Sequence, residues 1–288
     1  MKEISFYSLE KIGLIEQGDN LPEKILETCK EEDFELKDND VVIITSKVVS
    51  MYEGRIVNLK EVEPSSKAKA IAESTGMLEE EVELILQEGE VLAAIPVSKF
   101  GQEYILRQAD NKEKAKEALD NIPSMLLTER NGRICTSAGV DLSNSPEGKA
   151  TLLPEDPNKS AKKIKKYLED KTNKELAVII TDSEVSIRGG STDIAIGCSG
   201  IVPVDSKFGT DDLFGKPKFG GVDLIADEIA GAAALHFGQT SEKIPVVIGR
   251  GIEYAKGEGI TGNYSLVNEG MKNIILSGIK IKFQDLFY

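Results

Sequence analysis

The chain has 288 residues, 40% apolar and 29% charged, enough for one large domain or two modest ones around an ordinary globular core. A formal net charge of −14 and a pI near 4.8 set most of its surface against phosphate backbones, which excludes nucleic acid as a partner. No apolar run approaches the roughly 18 residues of a membrane span, and residues 1–20 lack a signal-peptide core, so the chain is expected in the cytoplasm and off the membrane.

In chain order, helical periodicity first covers Leu21–Lys30. The β-branched run Val41–Thr45 follows a turn-like Lys37-Asp38-Asn39-Asp40 and predicts a buried strand. Helices are predicted over Lys67–Thr75, capped by Ser65-Ser66, and over Glu79–Gln87. Val91–Ile95 and Arg133–Thr136 are strand-like. Between them, residues 102–122 carry a strongly charged helix former at Asp110–Leu119 and read as an inserted surface excursion. Ser160–Leu168 predicts a helix, Leu176–Thr181 a buried strand and Ile194–Gly197 a shorter one. Asp223–Phe237 predicts a helix rich in small residues, with Asp223 and Asp227 on one face. Pro245–Ile248 predicts the last strand. Short apolar runs alternating with helical patterns give a mixed α/β (α+β) fold. The expected organisation is one catalytic unit over 1–288, divisible into two subdomains.

Three distant cysteines, Cys29, Cys135 and Cys198, form no CxxC pair and read as inert thiols. The single histidine, His236, excludes HExxH chemistry and sits in an Ala-rich helical run, as a packed or helix-end residue does. Any metal is therefore expected on oxygen ligands, which favours Mg²⁺ or Mn²⁺. The nearest approach to a P-loop, Gly209 to Gly215-Lys216-Pro217, has the wrong spacing and no hydroxyl after its lysine.

Two segments can carry oxygen ligands. Ser137-Ala138-Gly139-Val140-Asp141-Leu142-Ser143-Asn144 offers Asp141 for a cation and Asn144 for a ligand, although an Asx-turn ending a strand has the same composition. Thr181-Asp182-Ser183 follows a buried strand, where α/β sheets collect ligands, although a capped turn reads alike.

These segments resemble blocks of the coenzyme F420-0:γ-glutamyl ligase family. Gly139–Asn144 with Leu152-Leu153-Pro154-Glu155-Asp156-Pro157 is similar to its AGxDxSN…LLPxDP block. Val178–Ser183 resembles its strand-TD-[ST] block, and Gly190–Gly197 its GxTDxAIG. Thr45–Arg55 resembles TSKVVSKxEGR, and Ala226–Ala230 and Pro245–Gly251 also fit, all in the family's order. The resemblance implies the family's fold in an intertwined homodimer. It implies GTP (or ATP) and Mg²⁺ or Mn²⁺, with L-glutamate joined to a carboxylate acceptor, F420-0 or another metabolite, through an acyl phosphate.

By position it implies a catalytic set of Asp141, Asp182 and Arg188 and metal ligands Asp141, Asp182, Ser183 and Gln239. Nucleotide contacts fall on Leu14, Ile15, Ser46, Lys47, Asn144, Gly238, Thr240 and Ser241. Three departures remove positive charge or an aromatic surface. Met51 stands for the family lysine and Glu16 for a basic residue, and the loop ending at Arg188 is a residue shorter and lacks an arginine and a tryptophan. Those losses point to a second reading, a family paralogue that binds a nucleotide or metabolite without ligation.

Overall fold

The computed structural model describes residues 2–185, 190–207, 209–218 and 220–259. They form two compact units, 2–55 with 153–259, and 56–152. The chain starts in the first unit with β1 (Ser5–Ser8), α1 (Leu21–Glu31), β2 (Val41–Thr45) and α2 (Ser46–Tyr52). The second unit follows as β3 (Ile56–Asn58), α3 (Ser66–Thr75), α4 (Glu79–Glu88), β4 (Glu90–Ile95), α5 (Val97–Gln108), α6 (Lys112–Asn121), β5 (Met125–Arg130), β6 (Arg133–Thr136) and β7 (Lys149–Thr151). The return to the first unit adds α7 (Pro157–Thr172), β8 (Ala177–Val185), β9 (Ser191–Ser199), β10 (Asp205–Ser206), β11 (Val222–Asp223), α8 (Ile225–Phe237) and β12 (Val246–Arg250). The mixed α/β expectation holds.

The first unit is built on a five-stranded sheet in the order β1-β12-β2-β8-β9. β2 pairs in parallel with β8, and the other neighbours pair antiparallel. β2 and β8 are β-branched runs with apolar side chains on both faces, as a central strand requires. Val42, Ile44, Val178 and Ile180 meet α1, α2 and α7 on one face. Val41, Ile43, Ala177 and Ile179 meet α8 on the other. α7 starts where Asp156 accepts from the Lys159 N–H at 3.1 Å, and it stops at Asn173, whose φ of 54° leaves the helical region.

The β8–β9 ladder slips once. Ile180 pairs with Gly197 and Thr181 with Ala195, which leaves Ile196 as the extra residue of a bulge. A Cβ on Gly197 would lie 2.4 Å from the Pro157 carbonyl carbon, so α7 can pack this closely only on a glycine.

Asp40 lies just before β2 and is 1% exposed. Arg250, at the end of β12, donates to it from Nε at 2.8 Å and Nη2 at 2.7 Å, and the Lys37 N–H donates at 2.8 Å. The guanidinium also covers the rings of Phe34 and Tyr7. This arginine of the Pro245–Gly251 block is thus a strut between strands. Arg250→Met should cost about 3 kcal/mol of unfolding free energy, because a buried carboxylate loses its charge partner. Adding Asp40→Asn should recover much of that loss in urea melts. If the single and double variants are equally destabilised, the ion pair is not the cause.

The second unit holds an antiparallel sheet β4-β5-β6 and the pair β3-β7. Ala68, Ala72, Val82, Ile85, Leu126, Ala138 and Leu152 make its core. Ser65 caps α3 by accepting from the Ala68 N–H at 3.2 Å. β5 was not anticipated, because two of its three buried positions are Thr128 and Arg130 rather than apolar residues. Arg130 is buried against Glu88 at 3.0 Å.

The excursion is longer than the expected 102–122 and holds two helices, α5 and α6. Both sit inside the connection of an antiparallel pair whose last rung is Ile95 with Met125. The Ser98 N–H and hydroxyl both donate to the Pro123 carbonyl at 3.0 Å, closing the neck. Replacing residues 96–124 by Asn-Gly, the two-residue hairpin turn, should leave one cooperative melt within a few kcal/mol of the parent. Loss of cooperativity in calorimetry would show instead that the helices complete the core of the unit.

Candidate functional site

Parallel pairing of Thr45 with Thr181 sets the start of α2 beside Asp182. Ser46 donates from Oγ to Asp182 Oδ1 at 2.5 Å. Along a strand the next side chain points to the opposite face. Ser183 accordingly lies on the α8 side, where its Oγ donates to Gln239 Oε1 at 3.4 Å. Opposite Ser183 in register stands Asp193 of β9. It is 5% exposed and accepts from Thr181 Oγ1 at 3.5 Å through Oδ2. Its Oδ1 is buried with no hydrogen-bond partner among the described residues. Burial raises the Asp193 carboxyl above the ordinary aspartate range, against hydrogen bonds from Gln239, Thr181 and Ser183 that favour the ionised form. The expected ligands Asp182, Ser183 and Gln239 are thus all in the first unit, divided between two faces of one sheet.

Lys47 is half-buried in the first turn of α2. Met51, one turn further on, packs with Val48 and Tyr52 against the core, so the missing lysine is replaced by a packing residue. Leu14 is 64% exposed and Ile15 is buried beside it. Gly238 ends α8 with a φ of 69°. Beyond it, Thr240 donates from its N–H at 2.8 Å and its hydroxyl at 3.0 Å to Glu242, whose carboxyl these bonds hold below the usual glutamate range. Ser241 lies in that turn. Arg188 falls outside the described residues.

The second unit carries Asp141 and Asn144. Ser137, Ala138 and Gly139 all have positive φ, an unfavourable run for the first two. Thr128 holds the run by accepting from the Ala138 N–H at 2.8 Å. Asp141 then pairs its backbone with Thr151, and its Oδ1 accepts from the Ser143 N–H and hydroxyl, each at 2.7 Å. The Asx-turn foreseen as the plain alternative is therefore present on the carboxylate expected to bind metal. Glu81 of α4 was not foreseen. Burial pushes its carboxyl up to about 7, and the Asp141 charge adds to the effect. In the sequence it is one of three glutamates opening a helix, a pattern that reads as a solvated first turn.

Asp223 lies in β11, ahead of α8, so it is not a helical neighbour of Asp227; the backbone turns before the helix starts. Both instead line an open cavity of about 470 Å³ together with Asp193 and Glu228. Asp227 also accepts from the Ala195 N–H at 2.8 Å, tying α8 to β9. His236, in the last turn of α8, bonds Ser8 through Nδ1 at 2.7 Å and is a helix-end residue. All three cysteines are buried, and burial pushes Cys29 to about 11 and Cys198 to about 12, as inert thiols require.

Among the described residues no group of three or more His, Cys, Asp or Glu is arranged to hold a metal. The donors present are carboxylate, hydroxyl and amide oxygens, and Asp193 Oδ1 is buried with no partner among the described residues. That set fits a hard cation that keeps part of its water shell, as Mg²⁺ does, and it does not fit structural zinc. No helix among the described residues is long and apolar enough to cross a membrane.

Residues 10–251 match the family model of F420-0:Gamma-glutamyl ligase. The coenzyme F420:L-glutamate ligase of Methanothermobacter thermautotrophicus is 35% identical over 86% of this chain and 89% of its own length. That of Methanosarcina mazei is 37% identical over 86% and 85%, and that of Methanosarcina acetivorans 33% over 95% of each.

Glu81 gives a pH test of the second unit. Its folded value lies above the ordinary 4.5, so the native chain binds the extra proton. Its contribution to stability is whole below the ordinary value and is lost as pH rises through about 7. In metal-free buffer Glu81→Gln should therefore gain on the parent in thermal melts from about pH 5 to about pH 8. Parallel curves for the two proteins would show that the carboxyl is not held in this way.

Proposed function

The chain belongs to the F420-0:γ-glutamyl ligase family, and on that premise we propose that it is an amide ligase that uses a nucleoside triphosphate and a divalent cation to join L-glutamate to a carboxylate acceptor. The acceptor is F420-0 or a metabolite with an equivalent carboxylate, and the nucleotide is GTP or ATP. The observation that carries this reading is the group of oxygen donors around Asp182, Ser183 and Gln239, just past the last parallel rung of β2 with β8, the end of a parallel pair at which ligands bind.

The reaction runs in two displacements. The acceptor carboxylate attacks the terminal phosphorus, and the nucleoside diphosphate leaves. The amino nitrogen of glutamate then attacks the acyl carbon, inorganic phosphate leaves, and the nitrogen gives up a proton. Mg²⁺ or Mn²⁺, when bound, offsets the negative charge of the phosphates. Asp182, oriented by Ser46, and Asp141, fixed by its turn, offer carboxylates to cations. Lys47 and Arg188 bring positive charge to the nucleotide, with Leu14, Ile15, Asn144, Gly238, Thr240 and Ser241 as its further contacts. Glu242 now holds the Thr240 donors, so a phosphate group has to displace it. The chain acts as a single ligase-like catalytic unit, in the cytoplasm and as a homodimer, with the excursion as an insertion.

Phosphate release should require both acceptor and glutamate, and mass spectrometry should find the acceptor heavier by one or more glutamyl groups. Asp141→Asn and Asp182→Asn should each weaken Mn²⁺ binding about tenfold or more. Nucleotide binding with no amide product would favour the second reading, a binding paralogue, to which the absent family lysine at Met51 lends support. Unchanged Mn²⁺ affinity in both variants would remove the two aspartates from the site.

A further inference from the structure

We propose that Asp193 supplies the carboxylate of a divalent-cation site on the α8 face of the first unit's sheet, completed by Ser183 and Gln239. The inference rests on the ligase reading for the use of a cation, and it adds a ligand of its own.

Three observations converge on this side chain. The first is register. The bulge at Ile196 lets Asp193 stand directly across from Ser183, so the two side chains share a face. Without the extra residue, the pairing beyond Thr181 would shift by one and send Asp193 to the Ser46 side. The second is burial. Asp193 is 5% exposed, and its Oδ1 has no partner among the described residues. A buried carboxylate oxygen left in this state opposes folding, so such a group calls for a ligand beyond those the described residues supply. The third is chemistry. Ser183 Oγ and Gln239 Oε1 are oxygens 3.4 Å apart, and both side chains also reach the Asp193 carboxyl.

Hydroxyl and amide oxygens are neutral, weak ligands for a divalent ion. One anionic oxygen beside them makes a hard site with room for water. Gln239 brings no charge of its own, and Asp193 meets that need from the neighbouring strand. The open cavity beyond it, edged by Asp223 and Glu228, adds a negative field at the same strand end.

The probe is Mn²⁺ alone, titrated into the full chain by calorimetry, with free Mn²⁺ followed by electron paramagnetic resonance. Asp193→Asn keeps the size of the side chain and should weaken binding, or remove one class of sites, by about tenfold or more. Its melting temperature in chelator should stay at or above that of the parent, since the substitution removes a buried charge. Asp223→Asn, on the rim, should leave the affinity within about twofold, as expected of a screened surface charge. Equal weakening by the two variants would mean a diffuse field and overturn the assignment. So would unchanged affinity in Asp193→Asn alongside a loss in Asp182→Asn, an outcome that leaves the ligase reading standing. A parent that binds no Mn²⁺ would overturn the cation reading and this inference together.

Discussion

The pairing of β2 with β8 is the interaction on which the first unit's chemistry depends. It is the parallel pair of an otherwise antiparallel sheet, and both strands are apolar on both faces. A slip of one residue would exchange the two buried faces, so the cores on either side hold the register. With it fixed, Thr45 meets Thr181, and the residues that follow them, Ser46 at the start of α2 and Asp182 in β8, are brought within hydrogen-bonding distance. The apolar faces of β2 and β8 thus set the register that brings this polar pair together.

The same alternation divides a short motif. Thr181-Asp182-Ser183 looks like one cluster when written as letters, yet its middle residue serves one face and its neighbours the other. Two polar groups result, Asp182 with Ser46 and Ser183 with Gln239 and Asp193. Each is backed by its own apolar core, and in the second group Asp193 is the buried member while Ser183 and Gln239 are exposed. The second unit reaches a comparable result by other means. There a turn with two non-glycine residues at positive φ is held by Thr128 and delivers Asp141 beside a carboxyl that prefers its proton. In both places a carboxyl is kept where solvation alone would not leave it, and such groups cluster at functional sites.

Much of this was legible in the sequence, and what was missed has physical causes. β2, α3 and α4 could be read nearly to the residue, because β-branched runs, a serine cap and helical periodicity are local signals. α2 was not read as a helix, since it is only seven residues long, follows a strand directly, and four of its residues are Ser or Val, which carry little helical preference of their own. β5 was hidden by Thr128 and Arg130, whose burial depends on partners outside the strand, Cys135 in the next strand and Glu88 in α4. The motif letters of the site were visible, including the aspartate at position 193. Its burial and its station opposite Ser183 were not, because both follow from a one-residue bulge that no local pattern announces. Glu81 escaped for a similar reason, since a run of glutamates at a helix start looks solvent-facing until the partner turn is placed.

The neck that closes the α5–α6 excursion has a bearing on how the protein breathes. Two bonds from Ser98 to one carbonyl, beside the last rung of β4 and β5, separate those helices from the ladder they interrupt. α6 anchors itself through Leu119, while α5 presents Tyr104 at 53% exposure. A segment tied in this way can open at low free-energy cost while the strands beneath stay protected. Its amides should exchange with solvent deuterium well ahead of those in β4 and β5, and proteases should nick the chain there first, leaving a two-piece protein whose sheet is still joined.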